Sequence, residues 1–585
     1  KMNLFLDYKK KIFNFLKILN KKKILKIPEN FKNITVELPP KNQKADISCN
    51  AAMLLAKFNN KTPLEFAEVL KTHLSKNFKE FKSIDVSGPG FLNIFFDNSF
   101  WLNHLSQVIK LNKKYGSNKT VKKKYNIEFV SANPTGPLHV GHCRGAVLGD
   151  ALSNILSFNG QKVTREYYVN DHGGQIKNFV TSVYYRILEI KKKKEFPKTI
   201  DLYPGDYVIQ IAKKIIKKKS IKNFNNFDKI YKKLSTESLK YSMELIQNNL
   251  NLLGIKHNNF VYESKLIKDK MVLKTVQNLE KKNYVYKGEL TAPKGEKTID
   301  WKIRKQLLFK STAFGDDTDR PLQKVDGSWT YFAADMAYHS HKISRKFDIL
   351  INILGADHAG YIKRIVSATK AISNNKVNLI CKVSQLVKLY KDGEPFKMSK
   401  RSGDYITVED LIKEVGKDSV RFMMLSRSND VDLDFDFKKV TEKSKDNPVF
   451  YVQYGYARIN SIFRLLKLDL KSKIKIEKDL NLNEHEIEIL KKISEWPKCL
   501  ELSSSKLEPH RIPFYLYELV SLFHSYWNLG KDHKEYRFVT ENKALNKSRL
   551  VLLKALAIVD AAASLTSTDG DPVESVYLNL SAPIP

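Results

Sequence analysis

Two histidines separated by Val-Gly, in the stretch NPTGPLHVGHCRG (Asn133 to Gly145), follow a short apolar run and open a helix-like segment. A strand-to-helix turn offers unpaired N–H groups and a partial positive charge, which attract an anion. Gly141 has no side chain to hold a flat ring off the backbone, and imidazoles at 139 and 142 can donate to a phosphate as its charge shifts. By itself the H-x-G-H spacing suits two packed structural histidines, or two metal ligands, equally well. Far downstream, FKMSKRSGDYI (Phe396 to Ile406) puts Lys397 and Lys400 on a Ser/Gly loop. Mobile ammonium groups suit a polyphosphate undergoing displacement, although a basic surface loop would read alike.

The segments around these motifs must position them. NIEFV, just before the first motif, reads as a buried parallel strand, and CRGAVLGDALSNIL after it as a helix. FDILINILGADHAGY is an apolar run ending in Gly355-Ala356-Asp357-His358, which suits the carboxyl end of a central strand, where open α/β sheets bind ligands. Lys-rich helical stretches run from about Val180 to Leu253. From Asp446 onward the pattern is helical, with Pro448 suited to a first turn. The opening hundred residues mix helical periodicity with a strand signal ending in GPGFLNIFF, a small α+β pattern. Neither a G-x-x-x-x-G-K-[ST] phosphate loop nor a G-x-G-x-x-G dinucleotide loop occurs.

The chain has 585 residues, enough for two to four domains. Its 101 Lys+Arg against 63 Asp+Glu give a net charge of +38, which favours a polyanion such as nucleic acid or an anionic membrane. Tracts such as Lys191 to Lys194 would equally follow from a genome poor in G and C. Cys49, Cys143, Cys381 and Cys499 are scattered without zinc-knuckle or disulfide-ladder spacing, which points to a reducing compartment. No apolar run spans a bilayer. The first segment, KMNLFLDYKKKIFNFLKILNKKK, is an amphipathic helix broken by lysines rather than a signal peptide. A first residue of Lys1 leaves the natural start open.

H-x-G-H followed by K-M-S-K, each in an α/β setting, resembles the paired signatures of class I aminoacyl-tRNA synthetases. The blocks EFVSANPTGPLHVGHCRGAVLGDAL, YYVNDHGGQI, FGDDTDRPL, DGSWTYFAADMAYHSHK, GADHAGY and DNPVFYVQYGYARI resemble those of arginyl-tRNA synthetases, in that family's order. NAAMLLAK…GPGFLNI is similar to the extra N-terminal domain of the same family. The resemblance implies a multidomain α/β protein. Its parts are an N-terminal α+β domain over 1–110, a Rossmann-like catalytic domain over 111–390 with a helical connective insertion at about 180–300, a KMSK loop and stem-contact region over 391–445, and an all-α anticodon-binding domain over 446–585.

A guanidinium substrate requires a planar acceptor, ideally a carboxylate. Tyr331 and Asp335, spaced Y-x-x-x-D, match the family positions that hold the arginine side chain, and Glu263 in FVYESKL offers a second carboxylate. The alternatives are a helix-capping or surface acid at 335 and a short coincidental pattern at 263. By the same matching, Glu128, Ser131 and Asn133 meet the α-amino and carboxylate groups. His139, Gly141 and His142 meet ATP, and Lys397, Met398, Ser399 and Lys400 its phosphates; His139, His142, Lys397 and Lys400 are the catalytic set. Asp357 and His358 match the ribose or base side, or serve only to end a strand. Asp171, Gly173 and Gln175 match the side facing arginine and the tRNA terminal adenosine. Tyr451, Tyr454 and Arg458, beside Phe450, fall in the anticodon region, although aromatics at helical spacing are often core. His339 and His341, at i and i+2 without a third ligand, read as packed or exposed histidines, so neither a protein metal site nor structural zinc is expected.

The implied reaction uses ATP with Mg²⁺, arginine and tRNA(Arg). The arginine carboxylate attacks the α-phosphate, and the terminal 2′-hydroxyl then attacks the adenylate. Positioning and charge stabilisation supply the rate. A carboxylate-lined pocket rejects smaller apolar amino acids without editing. Members of the family usually need bound tRNA before they activate arginine, grip its outer corner with the N-terminal domain, and act as cytoplasmic monomers that bind no membrane. The sequence departs from the family after Lys554, where ALAIVDAAASLTSTDGDPVESVYLNLSAPIP contains no Lys or Arg. This tail is expected to pack poorly and to leave the last domain without its native final turns. The rivals are another class I synthetase, a small H-x-G-H nucleotidylyltransferase, which the chain length disfavours, and a silent tRNA-binding paralogue, which has no need of both signatures.

Overall fold

In a computed structural model of the chain, the described residues are 3–29, 31, 33–40, 43–117, 122–199, 201–289, 305–395, 406–469, 474, 476–477, 480–539 and 543–564. They fall into two compact units, one drawn from Lys1–Asn118 with Ser444–Leu565, the other from Lys119–Lys443.

The first unit begins with α1 (Leu4–Lys21), capped by the Asn3 side chain and burying Leu4, Phe5, Tyr8, Ile12, Leu16 and Leu19 at helical spacing. Strands β1 (Val36–Glu37) and β2 (Ile47–Cys49) precede helices α2 (Ala51–Leu55) and α3 (Pro63–Asn77). The hairpin β3 (Phe81–Ser87) and β4 (Phe91–Phe96) completes an antiparallel sheet of order β1-β2-β4-β3, and α4 (Asn98–Leu111) follows. The hairpin turn contains Gly88 and Gly90 at φ +55° and +113°, backbone that L side chains rarely adopt.

The second unit is built on a five-stranded parallel sheet. β5 (Lys124–Glu128) leads into α5 (Val140–Phe158), and β6 (Lys162–Val169) returns beside it. Helices α6 (Gly174–Lys192), α7 (Asp206–Lys218) and α8 (Phe227–Leu252) then form their own apolar cluster around Phe179, Val183, Ile211 and Leu234. The segment expected as one helical insertion is broken after α8. After it β7 (Asn259–Tyr262) joins the parallel sheet, and α9 (Glu263–Lys268) and α10 (Met271–Lys281) follow. β8 (Val285–Gly288), β9 (Gln306–Phe309) and β10 (Arg320–Pro321) make a small antiparallel sheet. α11 (Tyr331–Ser344), β11 (Ile349–Gly355), α12 (Ile362–Ser373) and β12 (Asn378–Ser384) return to the main sheet, whose order is β12-β11-β5-β6-β7.

The chain thus turns one way from β5 to β6 and the other way to β11, and this switch point opens a crevice at the carboxyl ends of β5 and β11. α5 lies so close to the sheet that a Cβ at Gly149 would stand 2.2 Å from Phe129 Cγ. Arg144, buried in the same helix, donates to the carbonyls of Gln385, Ser428 and Val431. It thereby ties α5 to the last part of the unit: β13 (Val387–Lys391), β14 (Glu394–Pro395), α13 (Val408–Val415), α14 (Lys417–Met424), β15 (Leu433–Asp436) and α15 (Phe437–Thr441).

The remainder of the first unit is helical: α16 (Pro448–Leu465), α17 (Glu484–Ser494), α18 (Trp496–Ser505), α19 (Arg511–Asp532) and α20 (Lys543–Ser564). Asn447 caps α16 with Pro448 in its first turn, as the sequence predicts. The ammonium of Lys491 on α17 lies 2.8 Å from Asp46, beside β2, and Tyr115 donates to the Ile493 carbonyl at 3.0 Å. The expectation of a poorly packed tail is corrected as far as Ser564. Val551, Leu552, Leu553, Ala555, Leu556 and Val559 are buried along α20, because an apolar run needs no lysine where every face meets other helices. Asp560 is discordant there, a carboxyl that burial pushes up to about 7. Residues 565–585 lie outside the described set.

Candidate active site

The H-x-G-H turn forms the start of α5. His139 is the N-cap: its Nδ1 accepts from the Gly141 N–H at 3.1 Å, and the Nδ1 of His142 accepts from the His139 N–H at 3.2 Å. The rings lie 4.0 Å apart between centroids. An imidazole nitrogen that accepts a backbone N–H carries no proton, so each neutral ring has its hydrogen on Nε2. The capping geometry thus makes both Nε2 atoms donors, as a phosphate requires. The chain just after the second signature is held at this turn. Val140 N donates to the Ile406 carbonyl at 3.1 Å and Val408 N to the Leu138 carbonyl at 3.0 Å, and His139 and Thr407 form a β-bridge. Lys397, Met398, Ser399 and Lys400 themselves fall outside the described residues.

At the carboxyl end of β5, the backbone takes φ +72° at Val130 and +41° at Ser131. This twist turns the Ser131 hydroxyl back to donate to Glu128 Oε1 at 3.0 Å while it accepts from the Tyr168 N–H at 3.0 Å. Glu128 Oε2 takes the ammonium of Lys342 at 2.6 Å. Asn133 donates to Gln175 Oε1 at 2.7 Å, joining the loop after β5 to the first turn of α6.

Three further carboxylates gather nearby. Asp171 accepts from Ser264 N at 2.8 Å and Ser264 Oγ at 2.5 Å, pinning the β7–α9 corner that carries Glu263. Burial, with Asp171 and Asp335 adding, pushes the Glu263 carboxyl up to about 7. The Asn170 amide, turned so that its nitrogen faces acceptors, donates to Glu263 Oε2 at 2.5 Å. Burial also raises the carboxyl of Asp335, but His339, Lys342 and the hydroxyl of Tyr361 outweigh it and hold the group below its usual value. Burial drives the Tyr168 phenol well up, and the charges of Glu263, Asp335, Glu128 and Asp171 add to the shift. That much negative charge favours a cation.

Tyr331 opens α11 one turn before Asp335 and is 80% exposed. Asp357 and His358 follow the end of β11, both exposed, with Asp357 Oδ2 3.6 Å from His358 Nε2. Tyr451, Tyr454 and Arg458 belong to the other unit, on α16. Arg458 donates to Tyr454 Oη at 3.1 Å and meets His524 Nδ1 at 2.8 Å, while the Tyr451 ring packs 5.4 Å from Tyr517 and 4.4 Å from His524.

Sequence reasoning passed over Lys342, Asn352 and Tyr361, and read His339 as a packed or exposed histidine without linking it to Asp335. His339 is buried, with Nδ1 2.9 Å from the Asp335 carbonyl oxygen and 3.2 Å from its carboxylate, and Asn352 meets its Nε2 at 3.0 Å. The signal was present, since Tyr331, Asp335, His339 and Lys342 fall at i, i+4, i+8 and i+11, one face of a helix. Polar residues on a stripe that ought to be apolar mark a lined site.

Comparison with known proteins concerns the chain as a whole. Residues 104–461 match the model of the family described as tRNA synthetases class I (R), catalytic domain. Residues 452–563 match the DALR anticodon binding domain, and 9–96 the arginyl tRNA synthetase N terminal domain. An arginine–tRNA ligase of Pelagibacter ubique (strain HTCC1062) is 55% identical over 567 residues, covering 95% of this chain and 97% of that protein. One from Allorhizobium ampelinum is 43% identical over 97% of this chain and 99% of its own length. Among solved structures, one titled as a putative arginyl tRNA synthetase from Campylobacter jejuni aligns with a TM-score of 0.69 at 29% identity, covering 82% of this chain and 100% of that one.

Proposed function

The chain belongs to the arginyl-tRNA synthetase family and is an arginine–tRNA ligase of class I, and on that premise we propose how its residues divide the work. The guanidinium enters between Glu263 and Asp335, with Tyr331 against its stem. The α-amino group meets Glu128 and Ser131, which leaves the α-carboxylate aimed along the β5–α5 turn at the α-phosphate of ATP. The Nε2–H groups of His139 and His142 stabilise charge that develops on that phosphate during displacement of pyrophosphate, and Lys397 and Lys400 follow the leaving β- and γ-phosphates. Mg²⁺, carried in with ATP, screens the phosphates. Asn133 joins Glu128 and Ser131 at the α-amino and carboxylate groups, Asp357 and His358 line the nucleotide side, and Asp171 with Gln175 the side facing arginine and the terminal adenosine.

The products of the first step are arginyl-adenylate and pyrophosphate, and AMP leaves when the terminal 2′-hydroxyl takes the arginyl group. The helices α16–α20 hold the anticodon arm. A cleft beside α1 and α4, lined by Lys10, Lys11, Phe100, Asn103 and Gln107, offers the N-terminal domain a surface for the outer corner of tRNA. Four unpaired cysteines fit a reducing cytoplasm, and we read the protein as a monomer by its family resemblance.

The observation that carries this reading is the set of carboxylates Glu128, Asp171, Glu263 and Asp335, held by Lys342, Ser264, Asn170 and His339, in the unit whose helix α5 starts at the H-x-G-H turn. Asp335→Ala tests it. Loss of a charged hydrogen bond of about 1.5–3 kcal/mol raises the arginine KM by roughly 10- to 150-fold, with the ATP KM changed far less. A selective loss for ATP would contradict the assignment.

A further inference from the structure

Helix α11 carries groups that serve both ends of the pocket. Asp335 sits at the guanidinium end, and Lys342, two turns on along the same face, reaches Glu128 at the α-amino end. The Lys342 side chain has 0% exposure, with its ammonium 2.6 Å from Glu128 Oε2 and 2.9 Å from Asn352 Oδ1. A lysine buried this completely is costly unless paired and hydrogen-bonded, and the reaction as derived above gives it no task.

Its placement makes the pocket electrically asymmetric. Lys342 matches the charge of Glu128 at one end. At the other end, among the described residues, no Lys or Arg forms an ion pair with Asp171, Glu263 or Asp335. Arginine carries a cation at each end, the α-ammonium and the guanidinium, so a pocket with carboxylates at both ends would accept it in either direction. Only one direction presents the α-carboxylate to ATP.

We propose that Lys342 is the positioning residue that fixes this direction, by holding Glu128 through Oε2 and cancelling its charge, so that Asp335 and its acidic neighbours, which no Lys or Arg among the described residues pairs, draw the guanidinium. Glu128 Oε1 and the Ser131 hydroxyl then remain for the compact α-ammonium. Lys342 itself never touches the substrate. The inference rests on the assignment of Glu128 to the α-amino group.

The test is a double-mutant cycle of K342M and E128Q, read in tRNA-supported ATP–pyrophosphate exchange. Butylguanidine, which carries the guanidinium end alone, serves as competitive inhibitor. K342M is expected to raise the arginine KM and lower kcat by about tenfold each, the scale of one charged contact, with the butylguanidine inhibition constant within about twofold of the parent. In the E128Q background, adding K342M is expected to change neither parameter by more than about twofold, because the group it positions is no longer a carboxylate. Equal losses in both backgrounds, or butylguanidine weakening in step with arginine, would overturn the proposal and make Lys342 merely structural. If K342M alone fails to fold, the comparison of E128Q with E128Q/K342M decides: equality supports the proposal and a tenfold difference refutes it. Failure of butylguanidine to compete in the parent protein would instead overturn the pocket assignment itself.

Discussion

The carboxyl of Glu263 stands near 7 in the free protein because burial and two acidic neighbours disfavour its charge. A bound guanidinium favours that charge, so arginine binding must expel a proton wherever the carboxyl is still protonated. Binding competence therefore falls as pH drops through 7. The apparent arginine affinity should be about tenfold higher at pH 8 than at pH 6, following the deprotonated fraction, and E263Q should flatten the profile. A pH-independent affinity in the parent would contradict the role. The second signature gives a companion prediction: Lys400→Ala removes most adenylate formation while tRNA affinity stays largely intact, and equal exchange rates in mutant and parent would refute it. The H-x-G-H turn at a helix start was legible in the sequence because the motif is short and local, and equally short patterns single out Glu263 and Asp335. The partners of Lys342 and Tyr361 were not legible, since Glu128 and Asp335 lie 214 and 26 positions away in chain and only folding shows which buried group faces which, whereas His339 stands one helical turn from Asp335.

Among the elements, α5 does the most to place the chemistry, because it carries the H-x-G-H turn at one end and packs on the sheet through Gly149. Adding a methyl where Phe129 Cγ stands 2.2 Å away must displace helix or strand. Gly149→Ala should cost about 1–3 kcal/mol by overpacking, seen as a lower melting temperature together with weakened exchange. Unchanged melting would mean that the helix approaches the sheet less closely. The strands β5 and β11 and the helices α1, α5 and α16 were readable from apolar runs, caps and periodicity. β7 was not: its four residues, NFVY, are too few to show a period, and lysine-rich helix surrounds them. The reach of α20 was misjudged for a different reason, since absence of lysine reads as foreign in this chain although it also marks a helix packed on all sides.

For the whole molecule, the net charge of +38 favours a polyanion such as tRNA. Raising salt from about 50 to 200 mM should weaken tRNA binding on the order of a hundredfold, while leaving the arginine KM of the tRNA-bound enzyme nearly constant; a salt-insensitive tRNA affinity would contradict this. The first unit takes residues from both ends of the chain, an arrangement that no motif in the sequence announces. Its Lys491–Asp46 pair, with side chains 11% and 4% exposed, joins the two parts. Removing one partner of a buried pair strands the other, so Lys491→Met should destabilise that unit by about 3 kcal/mol, measured by chemical denaturation. The most direct test of the account as a whole is ATP–pyrophosphate exchange with each of the twenty amino acids, with and without total tRNA. The account predicts exchange with arginine alone, appearing when tRNA is added. Exchange with any other amino acid, or silence under every condition, would contradict it.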